Sequence, residues 1–430
     1  PVDSGGDLGM KRPNKKQGIA FVLALVVIVV ITVLLTAASQ RVSREMNTRI
    51  ASEDEAKAEM AARAGVQRAI AELTTFNANL LQPQTDDWAQ LGASSVGQFG
   101  TVNFKMARNT SFRLQVVDAG SFVNLNVAPQ EQLQNLGLTD EQVDSLLDWR
   151  ETGTTPRQLG AKDEYYNNLQ TPYNTKLGKL DTISEILLVK GFTAQAILAP
   201  PTNTTTQPLV SNGSTQPTLL SLSTVDSQCN NLDEQGNAKI DINNASQNQL
   251  TQEGIAPLLA AAIIQRRQTQ GNFTTLGQVF SLPGATANGA EILNRFTATT
   301  DQVLYGKINL NTASEGVLRS IPNLQSQAVD SILGNQGGYT TLGDLATIGG
   351  IQATDLVNLA DVFTVGSTML VVRSLGKFGD KEVGVEAYLD MTSQPPKVRR
   401  IERVIPADPV AYWGWQTETN QEITLMESSQ

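Results

Sequence analysis

Hydrophobic and polar positions divide the chain into distinct regimes. From Ile19 to Ala38, twenty residues carry no charge: IAFVLALVVIVVITVLLTAA. As a helix this run is about 30 Å long, the thickness of a bilayer's hydrocarbon core and more than a buried core helix needs. From Arg41 to Leu73 the apolar positions take a helical spacing. Val42, Met46 and Ile50 fall at i, i+4 and i+8, followed by Met60, Ala64, Ile70 and Leu73; there is no proline, and Gly65 alone interrupts. After a polar loop at 80–96 the period drops to two. Val102, Phe104 and Met106 share one face, as do Phe112, Leu114 and Val116, with Asn109-Thr110 as the hairpin turn. Alternation then lapses for about 250 residues. It resumes with Met369–Leu375, with Val383, Val385, Ala387 and Leu389, and with Lys397–Ile405, the turns falling at Gly379-Asp380 and Pro395-Pro396. The simplest fold is α+β. A long N-terminal helix packs on one antiparallel sheet, at 97–122 and 366–405, which an inserted helical domain splits. Two unrelated hairpins would alternate in the same way.

The insert repeats itself. VNLNVAPQEQL (123–133), IDINNASQNQL (240–250) and INLNTASEGVL (308–318) open three units. Second halves follow, in which Phe273-Thr274-Thr275-Leu276-Gly277 aligns with Tyr339-Thr340-Thr341-Leu342-Gly343, and Leu180-Asp181-Thr182-Ile183 is the weaker first copy. Each closes on a Gly turn at 189–192, 282–285 or 348–351. Helix, tight turn and helix in pairs predict helix-hairpin-helix-like units. Asn311 or Thr312 is expected to cap a helix at Ser314–Ile321. The boundaries are repeat 1 at 123–199, repeat 2 at 239–300 and repeat 3 at 301–365. Residues 200–238, rich in Thr, Asn, Ser, Gln and Pro, read as a flexible linker, and 406–430 as a C-terminal tail.

Composition narrows the chemistry. No histidine is present, which excludes His-based triads and His-ligated metals, and the single Cys229 permits no internal disulfide and no Cys-rich zinc site. A formal net charge of −10 works against nucleic acid and anionic lipid as general partners. Asp148-Trp149-Arg150-Glu151 is read as structural, with Trp149 packed and the charges on the rim. Asp163, Glu164, Tyr165 and Tyr166 would order a loop or bind a cation. Trp413 and Trp415, beside Tyr412, are either sheet packing or an exposed contact.

Lys11, Arg12, Lys15 and Lys16 precede the apolar run, so its N-terminal side is cytoplasmic and the rest is exported. A cleaved signal peptide would need a small-residue site, and Thr36-Ala37-Ala38-Ser39 could serve. However, cleavage there would cut a membrane span from the amphipathic helix that continues it. Met10 is expected to mark the start, with Pro1 to Gly9 a cloning remnant or upstream sequence.

A basic leader, then Gly18, then an apolar helix entering a soluble one resembles the signal of type IV pilins and pseudopilins. That resemblance implies cleavage by prepilin peptidase between Gly18 and Ile19, with 1–18 as leader, 19–38 as transmembrane helix and 39–80 as its amphipathic extension, all on a pilin-like sheet. Most family members carry glutamate where this chain has Leu23; its absence is characteristic of the K-type minor pseudopilin. A tip subunit has no amine above it to neutralise, and an unpaired buried carboxylate would be costly. Repeat 1 carries LLDWRE (146–151), GAKDEYY (160–166) and TPYNTKLGKLDTISEILLVKGF (171–192). Together they resemble general secretion pathway protein K of the type II secretion system. The extra repeat and long linker depart from that pattern.

The resemblance implies a minor pseudopilin, not an enzyme, at the tip of a periplasmic pseudopilus. It would be anchored by one span in the bacterial inner membrane with its C-terminal bulk in the periplasm. Its partners would be the I- and J-type minor pseudopilins, the major pseudopilin and prepilin peptidase. The family also implies Ca²⁺ in its pilin domain; no EF-hand spacing is present, so no ligands are assigned. The alternative is a minor pilin of a type IV pilus or competence system whose repeats bind DNA. Against it, Lys239–Val365 holds six Lys/Arg and nine Asp/Glu, a net of −3, and Arg266-Arg267 is its only basic pair. A membrane-tethered hydrolase is a third reading, disfavoured by the missing histidine.

Overall fold

A computed structural model describes residues 15–75, 87–94, 98, 100–200, 209–210, 216–404, 408–415 and 422–424, with side chains from residue 21 onward. Most of the leader, Met10, part of the 80–96 loop, 201–208, 211–215 and most of the tail lie outside the described residues. The chain forms two compact units, 1–57 and 58–430, and helix α1 (Lys15–Leu73) is continuous through the boundary.

In the first unit α1 is apolar and bare. Phe21 through Leu35 present Val, Ile and Leu side chains that are all about half exposed or more. Mean hydropathy reaches 3.1 over this span, with none of it buried. Among the described residues it is the one helix long and apolar enough to cross a membrane, a candidate single-pass anchor. Gly18 and Ile19 both fall inside α1. Arg41–Glu45 and Glu53–Lys57 form i,i+4 pairs beyond the apolar run.

In the second unit α1 buries Ala58, Ala62, Val66, Ala69 and Leu73, a helical stripe of mainly small side chains. It packs on Val116, Leu370, Val372, Val385, Ala387 and Leu389 of a six-stranded sheet. The strands are β1 (Asn103–Ala107), β2 (Thr110–Asp118), β3 (Met369–Phe378), β4 (Lys381–Asp390), β5 (Lys397–Arg403) and β6 (Glu422–Thr424), in spatial order β5-β4-β3-β2-β1-β6. All neighbours are antiparallel except β6, which runs parallel to β1. The two halves of the alternation therefore form one sheet, not two hairpins. The sheet's other face is also covered: Met369, Val371 and Tyr388 pack with Ala119, and Leu375 packs with Trp413 and Trp415. That is why Met369–Val372 is apolar without alternation.

Residues 408–415 of the tail join this core. Trp413 donates to Glu386 Oε1 and Trp415 to Gln115 Oε1, each at 2.8 Å, so the aromatic cluster is sheet packing. The cause is geometric: Gly100 and Gly384 leave room for the two indoles.

The insert leaves and returns at one place, since Asp118 at the end of β2 is opposite Leu370 on β3. Close helix–sheet approach also explains the glycines. A Cβ on Gly376 would lie 2.0 Å from Ala58 O and 2.2 Å from Ala62 N, and one on Gly65 would meet Ser374 and Phe112. Gly376→Val should therefore destabilise the chain by about 3 kcal/mol through overpacking. Gly153→Val, with nothing within 4 Å, should change stability by less than about 0.5 kcal/mol. Urea unfolding in detergent measures both, and equal midpoints for the two variants would contradict this packing.

Candidate functional site: the helix-hairpin-helix insert

Each repeat begins with a two-residue strand that pairs in parallel with a strand closing the same repeat. Val123–Asn124 meets Ser223–Thr224, Ile240–Asp241 meets Phe296–Thr297, and Ile308–Asn309 meets Phe363–Thr364. Between these strands run paired helices: α2 (Gln130–Asn135) and α3 (Asp140–Arg150), α4 (Gln247–Gln252) and α5 (Pro257–Gln270), α6 (Glu315–Ser320) and α7 (Ser326–Gly334). Their hairpins turn at Gly137, Gly254 and Asn323, all with positive φ. A second hairpin turns at Gly191, Gly284 and Gly350, again with positive φ, where the sequence placed it.

One asparagine closes each unit. Asn126 Nδ2 donates to Leu180 O and Val225 O at 3.0 and 2.8 Å, and its Oδ1 accepts from Leu180 N at 2.7 Å. Asn243 repeats this with Phe273 O, Ala298 O and Phe273 N. Asn311 does so with Tyr339 O, Val365 O and Tyr339 N, and also accepts from Gly337 N. Each side chain ties the opening loop to the second half and to the closing strand, filling both its donor and acceptor capacity. A long side chain from the second helix, or in repeat 3 from just past its end, completes the loop. Arg150 donates to Leu125 O and Ala128 O, Arg267 to Ile242 O and Ala245 O, and Gln336 to Leu310 O and Ala313 O.

These bonds correct several expectations. Asn311 and Thr312 do not cap α6; Ser314 does, accepting from Val317 N, because Asn311 is held in the clamp and Thr312 donates to Asp118. The Asp148–Glu151 charges are not all on a rim. Asp148 is 1% exposed and bonds Arg157 at 2.9 Å, while Arg150 points inward to the loop carbonyls. Trp149 is packed as expected, with its Nε1 on Glu185 and Tyr166 edge-on at 5.3 Å. The 200–238 segment is not all linker. Leu219, Leu220 and Leu222 form a buried helical turn, Ser223–Thr224 close repeat 1, and Gln228–Asn230 pair with Val303–Tyr305. Repeat 1 thus runs past 199, because the Thr/Asn/Pro stretch interrupts it before its closing strand and hid that strand's match to the other two.

The DNA reading loses its cations. Arg267 is in the clamp, and Arg266 bonds Gly271 O and Gln278 Oε1 and lies over Phe273 at 4.2 Å. The first hairpins, 135–138, 253–256 and 321–324, contain no Lys or Arg, and Glu253 sits in one of them. Phosphate binding at such turns needs cations nearby. For calcium, no three His, Cys, Asp or Glu side chains converge among the described residues. Asp163 Oδ1 accepts from Thr175 N at 2.7 Å, which holds the loop.

Repeats 2 and 3 pack reciprocally, with Gly277 N donating to Asp361 Oδ2 and Gly343 N to Asn294 Oδ1. Repeat 3 also joins the sheet through the buried Asp118, whose oxygens accept from Gly120 N, Asn309 Nδ2 and Thr312 Oγ1 at 2.7–2.8 Å. Burial raises the pKa of this carboxyl, and these bonds oppose the rise.

A sheet split by paired helix-hairpin-helix units, with an apolar helix ahead of it, defines a pilin-like subunit carrying a helical insert. Residues 124–200 match the family model "Type II secretion system (T2SS), protein K", and 235–296 match "Helix-hairpin-helix motif". The resemblance to general secretion pathway protein K is borne out over residues 124–200. A solved structure, "The Crystal Structure of the GspK-GspI-GspJ complex from enterotoxigenic Escherichia coli Type 2 Secretion System", aligns at a TM-score of 0.42 and 13% identity, covering 84% of this chain and 100% of that one. No curated protein matches the chain.

Two measurements test the insert. Asn311→Ala leaves the buried Tyr339 N and the part-buried Gly337 N without their acceptor, so it should destabilise by about 3 kcal/mol, read as a lower urea midpoint; an unchanged midpoint refutes the clamp. The second concerns Lys239, which donates to Leu293 O at 2.6 Å and whose pKa burial pushes down to about 8. Because the folded pKa is the lower one, the unfolded chain binds more protons between pH 8 and 10.5. Stability should therefore rise with pH through that window, by about 2 kcal/mol from pH 8 to 10. Lys239→Met should flatten the rise, and an identical slope in that variant excludes Lys239 as its source.

Proposed function

We propose that this chain is the K-type minor pseudopilin of a type II secretion system and caps the tip of a periplasmic pseudopilus. The observation that carries the reading is the protein K domain at 124–200, inserted between two neighbouring strands of a pilin-like sheet behind a bare apolar helix. In this reading Ile19–Ala38 holds the subunit in the inner membrane and the sheet and insert lie in the periplasm. Prepilin peptidase frees the helix by cutting between Gly18 and Ile19. I- and J-type minor pseudopilins join it, and the major pseudopilin extends below. Its work is steric and associative, with no bond chemistry of its own. Leu23 fits a subunit with nothing above it, since a carboxylate there would lie unpaired in an apolar setting.

Two experiments separate the parts of this reading. Gly18→Leu should leave an uncut precursor on mass spectrometry, and normal maturation would remove the leader assignment. Joining Asp118 to Leu370 through a two-residue turn, which their cross-strand pairing allows, deletes the insert. Cells expressing that variant should lose the cap and secrete poorly while the subunit still reaches the membrane. Normal secretion would exclude the capping role.

A further inference from the structure

The two edges of the sheet are dressed differently. The outer edge, β5, reads Lys-Val-Arg-Arg-Ile-Glu-Arg, and two of its arginines are engaged with carboxylates, Arg399 with Asp390 and Arg400 with Asp226 and Glu402. Charges of this kind discourage pairing with another chain. Among the described residues the other edge, β1, pairs with the three-residue tail strand β6, with Asn103, Phe104 and Lys105 facing Glu422, Ile423 and Thr424. All three β6 side chains are exposed, and one solvent-exposed ion pair, Lys105–Glu422 at 3.2 Å, joins the strands. Such a pair adds little hold.

Beside this edge lies a cavity of about 220 Å³ lined by Asn103, Lys105, Arg108, Lys377 and Glu422, among others. Three cations meet there in a chain of net charge −10; Lys105 pairs with Glu422, and Lys377 with Glu382 at 3.3 Å. Arg108 is exposed and has no carboxylate partner among the described residues. Asn103 Oδ1 is buried without a hydrogen-bond partner. The surface thus offers unfilled electrostatic capacity and an unused acceptor next to a strand that already accepts a parallel neighbour.

We propose that the β1 edge is a docking site for an extended, carboxylate-bearing segment of a partner protein, and that the chain's own β6 is the occupant such a segment displaces. Main-chain pairing supplies the hold and the basic cavity selects acidic segments, the mode of β-strand addition. The inference stands independently of filament capping.

The probe is a fluorescein-labelled peptide of residues 420–426, titrated in detergent against three full-length proteins and one truncation after Trp415. The truncation and the full chain with Ile423→Pro should both bind it about ten-fold more tightly than wild type. Adding Lys105→Glu and Arg108→Glu to Ile423→Pro should abolish that gain, and rising salt should weaken binding. The Ile423→Pro chain keeps the test valid if the truncation does not fold, and far-UV circular dichroism confirms its fold. Equal binding to wild type and Ile423→Pro, no binding to either, or undiminished binding of a Glu422→Lys peptide would overturn the proposal.

Discussion

The architecture depends on a single junction. Adjacent strands β2 and β3 are separated in sequence by the whole insert, so the chain must leave the sheet and return to it side by side. A junction with one crossing in and one out has little intrinsic stiffness. Asp118 supplies what is missing: a fully buried carboxylate at the last residue of β2 takes hydrogen bonds from Asn309 and Thr312 of repeat 3. Those residues belong to the opening strand and loop of that repeat, so the sheet and the insert share one hydrogen-bonded corner. A buried carboxylate with no cation is expensive unless its oxygens are filled, and here the filling groups come from both sides of the junction.

From that corner the insert is assembled by one rule used three times. A short opening strand, an asparagine and a closing strand define each repeat, and Asn126, Asn243 and Asn311 hold the three pieces with nearly the same bonds. The second repeat is threaded through a two-stranded ladder, Gln228–Asn230 with Val303–Tyr305, so both of its ends emerge together. An extra unit with adjacent ends can be carried without disturbing what flanks it. This accounts physically for a third repeat beside the two others. The same economy disposes of the basic pair: Arg267 occupies the place of Arg150, and its charge is spent on loop carbonyls.

Much of this was legible from residues. The bare helix was visible in twenty uncharged positions, the split sheet in the return of alternation at Met369, and the repeats in recurring Leu-Asn and Ile-Asn pairs. What escaped has specific causes. The clamp was missed because an asparagine ahead of a helix reads first as a cap, and only the fold brings Tyr339 and Val365 to Asn311. The closing strand of repeat 1 was missed because 200–218 separates Ser223–Thr224 from the helix it follows. Asp148 was assigned to a rim because a charge in a helix is usually solvated, whereas here Arg157 and Lys162 close over it. The tail's tryptophans leave sheet packing and an exposed contact both open in the sequence, because in isolation they carry no address; their pockets are made by glycines at 100 and 384, distant in sequence.

The reading of function follows from the same geometry. Enzymes gather reactive groups in a cleft, while in this insert the strongest polar groups are consumed in holding the backbone: asparagine amides on main-chain atoms, arginines on carbonyls, Asp118 on hydroxyl and amide donors. Each of these bonds ties separate stretches of the insert's backbone together. In the proposed capping role, bulk placed between two strands of the sheet would act by occupying space and by offering surfaces to neighbours. A flexible insert would yield to an incoming subunit, whereas one locked by three asparagine clamps would not. The clamp that defines the fold is therefore also what a capping role requires.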